Sequence, residues 1–274
     1  MAAELPSGAS PLLLVGAGKM GGAMLERWLQ AGLGQVTILD PFIAEDQRVA
    51  FADAGVKIAS APDEVSGPCS VLLLAVKPQS MAGALPSVAS LAGPETTVIS
   101  VAAGIRLATL EEAFPAGQPV VRVMPNTPAQ VGQGMSVAVP NRHVSTQQRA
   151  AVDALFSAID KIAWTDDEAH IDAVTAVSGS GPAYVFLLAE CLAEAGRQAG
   201  LPADLSELLG RQTVVGAGAL LGGSPLAAAE LRRNVTSPKG TTQAALDVLM
   251  AEDGLQPLIT RAVEAAKRRS IELG

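Results

Sequence analysis

The residues best able to do chemistry sit in a few segments marked by glycine and proline. Gly16-Ala17-Gly18-Lys19-Met20-Gly21 directly follows the apolar run Leu12–Val15 and opens a helical pattern. In a strand–turn–helix of this kind the first glycine allows a tight turn and the second lets the backbone approach a pyrophosphate. The third allows close helix–strand packing, and the helix N-terminus faces the negative charge. The spacing therefore predicts dinucleotide binding. Asp40 closes the next apolar run, Val36–Leu39. A carboxylate there accepts from ribose hydroxyls and repels a 2′-phosphate, which tilts the cofactor toward NADH over NADPH. Two features pull the other way: Asp40 precedes Pro41 and can open a turn, and Arg48 can reach toward a phosphate.

Ala75-Val76-Lys77-Pro78 and Val101-Ala102-Ala103-Gly104 leave the carboxyl ends of two further strand-like runs. That edge is where doubly wound sheets place ligands, and the small residues at 102–104 let a flat ring or pyrophosphate approach the backbone. Met124-Pro125-Asn126-Thr127-Pro128 is a rigid loop suited to presenting Asn126 and Thr127. Two later segments combine hydroxyls with glycine: Val177-Ser178-Gly179-Ser180-Gly181-Pro182-Ala183-Tyr184 and Asn234-Val235-Thr236-Ser237-Pro238-Lys239-Gly240-Thr241-Thr242. Each precedes a helical pattern. Each can offer hydroxyl and backbone N–H groups to a carboxylate, or can serve as an ordinary N-cap through Ser180 or Thr241. His143 and His170 are the only histidines, and neither has a motif partner. No lysine lies between Lys161 and Lys239, where a hydroxyacid dehydrogenase of related layout carries its catalytic base. The substrate therefore needs no strong base from the enzyme.

The elements that must position these groups follow from periodicity. Apolar runs at Leu12–Val15, Val36–Leu39, Val71–Val76, Val98–Val101 and Val120–Val123 alternate with helical segments such as Met20–Gln30 and Gln79–Leu91. This alternation predicts an α/β fold, a Rossmann-type doubly wound parallel sheet. From about Asp167 no strand-like run remains; Tyr184–Gln198, Ala203–Leu221, Thr242–Met250 and Leu255–Ile271 read as helices. A boundary near Trp164–Glu168 gives a dinucleotide-binding domain over 1–166. An all-helical domain for substrate binding and dimerisation covers 167–274. The apolar surface of so small a helical domain calls for burial against a second subunit.

Composition narrows the function further. The chain has 274 residues, 49% hydrophobic and 17% charged, with a net charge of −8 and 3% aromatics. A nucleic-acid partner, which needs a basic face or stacking surface, is excluded on those grounds. Cys69 and Cys191 stand far apart in small or apolar surroundings, with no metal-ligand spacing, which fits buried thiols in a reducing compartment. Met1–Pro6 lacks a positive n-region, and Leu12–Val15 and Val71–Val76 are too short to cross a bilayer. The reading is a cytoplasmic protein without a membrane partner.

Taken in order, the segments beginning Gly16, Ala75, Ser100, Met124, Val177 and Ser237 resemble those of the pyrroline-5-carboxylate reductase family from about residue 11 to 272. The resemblance implies hydride transfer from NADP or NAD in reduced form to the imine carbon of 1-pyrroline-5-carboxylate, the last step of proline biosynthesis. It places cofactor contacts on Val15, Gly16, Ala17, Gly18, Lys19, Met20, Asp40, Ala75, Val76, Lys77, Val101, Ala102, Ala103 and Asn234. Substrate contacts fall on Glu168, Ser237, Thr241 and Thr242, with Thr242 as the catalytic position beside the ring nitrogen and no metal. It further implies a homodimer through the helical domain, assembled in some members into a decamer. Two positions depart from the family pattern. Lys19 stands where Asn or Gln is usual, and Lys239 replaces the first glycine of a Gly-Gly pair. If position 239 needs φ > 0 the lysine is strained; if not, its ammonium can supplement carboxylate binding.

Overall fold

The computed structural model describes residues 11–274. Met1–Pro6, read above for a secretory signal, lies outside the described residues. Strand β1 (Leu12–Val15) shows why the apolar runs carry no polar alternation. It is buried at every position because helices cover both sheet faces. Leu12 and Leu14 join one core with Met24, Trp28, Leu73 and Phe156, whereas Leu13 and Val15 join a second with Leu72, Leu74, Met81 and Leu110.

The chain continues through α1 (Lys19–Gln30), β2 (Val36–Leu39), α2 (Glu45–Asp53), β3 (Lys57–Ala59), β4 (Val71–Leu74), α3 (Pro78–Val88), β5 (Thr97–Ser100), α4 (Leu107–Ala113) and β6 (Val120–Met124). Then come β7 (Gly134–Pro140), α5 (Thr146–Ser157), β8 (Asp160–Trp164) and α6 (His170–Val174). The sheet has eight strands in the order β3-β2-β1-β4-β5-β6-β7-β8.

Two features differ from the wholly parallel sheet expected. β3, β7 and β8 carry no continuous apolar run, and β7 alternates buried and half-buried positions along Gly134–Ala138. β7 also runs antiparallel to β6, with Arg122 opposite Val139. The connection through the short helical turn Thr127–Val131 is too brief for a parallel crossover, so the chain turns straight back. β8 then pairs parallel to β7 after the α5 crossover.

The described chain divides into two compact units. One holds the residues up to Gly179 together with Lys267–Gly274, and the other holds Ser180–Ala266. The division falls later than the 166/167 boundary drawn from composition. The strands end at Trp164, but α6 and the π-helical turn Thr175–Gly179 still pack in the first unit, with Ile171 and Ala176 fully buried.

The second unit contains α7 (Gly181–Gln198), α8 (Ala203–Gly223), α9 (Ala228–Asn234), α10 (Thr241–Leu249) and the first part of α11 (Leu255–Leu273). Small residues bring α7 and α8 together. The Ser206 hydroxyl donates to the Ala193 carbonyl, and a Cβ on Gly210 would lie 2.8 Å from the Ala189 carbonyl oxygen. Little else in this unit is buried. Phe186, Leu208 and Val248 are 64%, 61% and 71% exposed in the single chain. Cys191 on α7 is exposed as well, contrary to the expected buried thiol. Cys69 is buried, and that burial pushes its thiol pKa up. His170–Gln198 is long and apolar enough to cross a bilayer by length and composition, a run the strand-by-strand reading passed over.

Candidate functional site

The strand order reverses direction between β1 and β4, and the crevice at their carboxyl ends is where such sheets bind ligands. A cleft of about 610 Å³ opens there, lined among others by Gly16, Gly18, Asp40, Ser60, Ala75 and Lys77. Gly16 has φ +92°, and a Cβ there would stand 3.1 Å from the Ala75 carbonyl, so only glycine fits this turn. A Cβ on Gly21 would collide with the Gly16 carbonyl, which is how α1 approaches β1 so closely. Gly18 is the reverse case. Its missing side chain would meet no atom within 4 Å, so bare backbone faces open space at the start of α1. This is the cradle that a pyrophosphate requires.

Asp40 takes the turn-opening role that its sequence position left open, and it also borders the cleft. One carboxylate oxygen accepts from the Ala17 N–H at 2.8 Å and the other from the Phe42 N–H at 2.8 Å. It thus opens the Pro41–Phe42 turn while facing the cleft. Arg48 donates to the Ser60 hydroxyl at 3.4 Å and lies 3.8 Å from Glu45. Its tether is the cleft-lining Ser60. Lys77 is the N-cap of α3 and borders the cleft with Ala75 and Val76; Lys19 is the exposed first residue of α1, and Val15 lines the floor. Val101 and Ala102 are nearly buried at the end of β5, and Ala103 is half-buried.

Asn126 does not present its amide to a ligand, as the rigid loop had led us to expect. Only 9% exposed, it accepts from the Met135 N–H at 2.9 Å and donates to the carbonyl and hydroxyl oxygens of Ser178. It therefore holds the π-helical turn against the loop that follows β6.

Glu168 has a structural engagement that sequence reasoning missed. Its Oε1 accepts from the Leu107 N–H at 2.8 Å and from the Arg122 guanidinium at 2.8 Å. Arg122 is 4% exposed. Together with Glu111, Asn141 and His143, Glu168 borders a separate cavity of about 550 Å³ and is not among the residues lining the glycine-rich cleft. The signal was available: an arginine inside the strand Val-Val-Arg-Val-Met must find a carboxylate. Removing that carboxylate by Glu168→Ala leaves a buried guanidinium unpaired. An expected loss of about 3–5 kcal/mol is checked by chemical denaturation against Glu168→Gln, which keeps an acceptor.

In the second unit, Asn234 ends α9 and is exposed. Ser237-Pro238-Lys239-Gly240 is a tight turn closed by the Gly240 N–H donating to the Ser237 carbonyl at 3.0 Å. Lys239 has φ +60°. Proline at the second position and positive φ at the third are the pattern of a type II turn, whose third residue is normally glycine. The first of the two readings of Lys239 is therefore the structural one. Lys239→Gly is expected to stabilise the chain by about 0.5–1 kcal/mol in thermal unfolding, the left-handed cost of lysine less the entropy cost of glycine. Thr241 and Thr242 are the first two residues of α10, whose N-cap is Gly240. Neither Thr241 nor Ser180 makes a capping side-chain bond, so capping does not account for either hydroxyl. The first-turn N–H groups of α10 have no helical acceptor and remain available to an anion.

Comparison with known proteins agrees with this arrangement. Residues 168–273 match the family model for pyrroline-5-carboxylate reductase dimerisation, and residues 12–104 match that for NADP oxidoreductase, coenzyme F420-dependent. The pyrroline-5-carboxylate reductase of Pseudomonas aeruginosa is 39% identical over 264 residues, spanning 96% of each chain. This chain belongs to the pyrroline-5-carboxylate reductase family. The reductase of Pisum sativum is 37% identical across 94% of both chains. Among solved structures, the pyrroline-5-carboxylate reductase of Coxiella burnetii matches with TM-score 0.89 at 30% identity, covering 97% of this chain and 99% of that one. The Plasmodium falciparum pyrroline carboxylate reductase, solved with NADP bound, matches with TM-score 0.80 at 29% identity, covering 96% and 97%. The family's dimerisation region takes in the helices whose apolar faces are exposed in the single chain.

Proposed function

We infer that this chain is a pyrroline-5-carboxylate reductase, forming L-proline from 1-pyrroline-5-carboxylate at the expense of NADPH or NADH. The observation that carries the reading is the whole-length likeness to the Pseudomonas aeruginosa reductase, 39% identical over 264 residues. Reduced nicotinamide supplies the hydride. The bare backbone of Gly16–Lys19 and the N-terminus of α1 hold the pyrophosphate, with Met20 behind them in the first turn. Asp40 takes the adenosine ribose, Ala75–Lys77 border it, and Val101–Ala103 and Asn234 complete the cofactor contacts. On the substrate side, Ser237 and the N–H groups of Thr241 and Thr242 hold the carboxylate, and the Thr242 hydroxyl meets the ring nitrogen. Glu168 belongs to this side by family likeness, through the carboxylate oxygen not bonded to Arg122.

The chemistry asks little of the protein. A pyrroline nitrogen is basic enough to be partly protonated near neutral pH. Hydride addition to the iminium carbon then moves the C=N electron pair to nitrogen and leaves a neutral amine. No enzymic base takes part, in keeping with the lysine-free stretch between Lys161 and Lys239. The dimer is the functional unit in this reading, and five dimers forming a decamer is the larger assembly that the family likeness supports. The test is initial rates with NADH and NADPH on racemic pyrroline-5-carboxylate, with proline identified as product; no substrate-dependent oxidation would overturn the assignment. Asp40 is proposed to tilt the preference toward NADH through repulsion of the 2′-phosphate. Asp40→Ser is then expected to raise the NADPH/NADH ratio of kcat/KM about tenfold, ~1.4 kcal/mol, and an unchanged ratio would separate Asp40 from the ribose.

A further inference from the structure

The loop that follows β5 is held from behind by the far end of the chain. Gly104 is buried, has φ +80°, and a Cβ on it would lie 2.9 Å from the Leu273 carbonyl oxygen and 3.2 Å from its carbon. The contact is backbone against backbone, on the last turn of α11. That turn has its own anchor. The Ser270 hydroxyl, 6% exposed, donates to the Asp172 carboxylate of α6 at 2.7 Å. Lys267–Gly274 accordingly belongs to the first compact unit, although α11 starts in the second. Glu168 fixes the other end of the same connection by accepting from the Leu107 N–H at the start of α4. Between these two fixed points lie only Ile105 and Arg106, and the Ile105 N–H closes back on the Ala102 carbonyl at 3.4 Å. A displacement of Gly104 therefore passes directly into Ala102 and Ala103.

We propose that Gly104 and the last turn of α11, anchored by Ser270, are positioning elements for the cofactor: they set the height of the Val101–Ala103 backbone at the nicotinamide side of the crevice. The side follows from strand order. Asp40 ends β2 on one flank of the β1/β4 switch point, and Val101 follows β5 on the other. The half of a dinucleotide lying past β4 must meet 101–103, whereas the adenosine half stays with the glycine-rich turn. This rests on the dinucleotide reading given above.

Fragment binding tests the proposal and keeps the two readings apart. With the full-length wild-type protein, NADPH or NADH titrated by its fluorescence and 2′-AMP or AMP by calorimetry give the reference affinities. Gly104→Ala forces a side chain into the Leu273 carbonyl and a non-glycine residue into positive φ. It is expected to weaken the whole dinucleotide about tenfold while leaving the adenine fragment within about twofold. Ser270→Ala frees the last turn without a clash, and the same selective loss is expected at about threefold. Steady-state kinetics should show both as a raised KM for the dinucleotide, with kcat at saturation within about twofold. A folded Ser270→Ala protein with unchanged dinucleotide affinity would overturn the proposal. So would equal weakening of dinucleotide and fragment in either variant, since general loosening moves both. Absence of dinucleotide binding by the wild type would instead remove the cofactor reading itself.

Discussion

Thr242→Ala is expected to lower kcat by roughly 10- to 100-fold, about 1.4–2.7 kcal/mol, without abolishing turnover. The proposed substrate brings its own proton as an iminium, so the hydroxyl at this position orients the ring nitrogen and does not serve as an obligatory acid. Its place as the second residue of α10, beside the Ser237–Gly240 turn, puts it on the side proposed for the carboxylate, whereas the cofactor is assigned to other residues. Affinity for the nicotinamide cofactor should accordingly stay within a factor of about three. Steady-state kinetics with both cofactors, together with cofactor titration, reads both quantities. Complete loss of activity in a folded, cofactor-binding variant would make Thr242 an essential proton donor or relay and end the orientation-only mechanism.

Leu208→Asp should have a still larger effect, on assembly. On α8, Ser206 and Gly210 face α7 and are buried. Leu208 is set about 200° around the helix from Ser206, and it is 61% exposed in the single chain. Burying such a leucine against a partner stabilises by about 1.5–3 kcal/mol. A carboxylate at that place, met twice across a two-fold interface, adds the several-kcal/mol cost of an unpaired buried charge. The dissociation constant is expected to rise more than ~1,000-fold, about 4 kcal/mol, and sedimentation at micromolar concentration should find monomer or aggregate. The wild type should show the complementary behaviour, a melting temperature that falls on dilution, because the dimer interface stabilises the native state by mass action. A wild-type-like dimer of Leu208→Asp would show that this face of α8 lies outside the interface, and a fully active wild-type monomer at micromolar concentration would overturn the dimer as the functional unit.

Much of the first unit was legible because its signals are local. β1 and β2 fall on the expected runs, and β4 and β5 lie within a residue or two of theirs, since a strand buried on both faces must be apolar at every position. The glycine spacing after β1 was equally readable, because the turn, the close approach and the helix start each need a glycine at a set offset. β3, β7 and β8 escaped notice for the converse reason. Short or half-buried strands such as Lys57–Ala59 and Gly134–Pro140 are stabilised by neighbours distant in sequence, and a window of a few residues carries no trace of those partners.

The sequence alone determined the strand–turn–helix cradle, the change from α/β to helical character near Asp167, and the loops rich in hydroxyl groups, because each depends on residues adjacent in the chain. It also marked the helical region as too apolar to stand by itself. Only the tertiary structure decided that Asp40 bonds the Ala17 N–H while opening its own turn, that Asn126 faces inward, and that Glu168 is tied to Arg122. It likewise settled the positive φ of Lys239 and brought Leu273 against Gly104. These are matters of which distant groups meet, and of what backbone angle a closed turn imposes on its third residue. Neither is written in residue type or local spacing, because a side chain's partner is chosen by the packing of the whole unit.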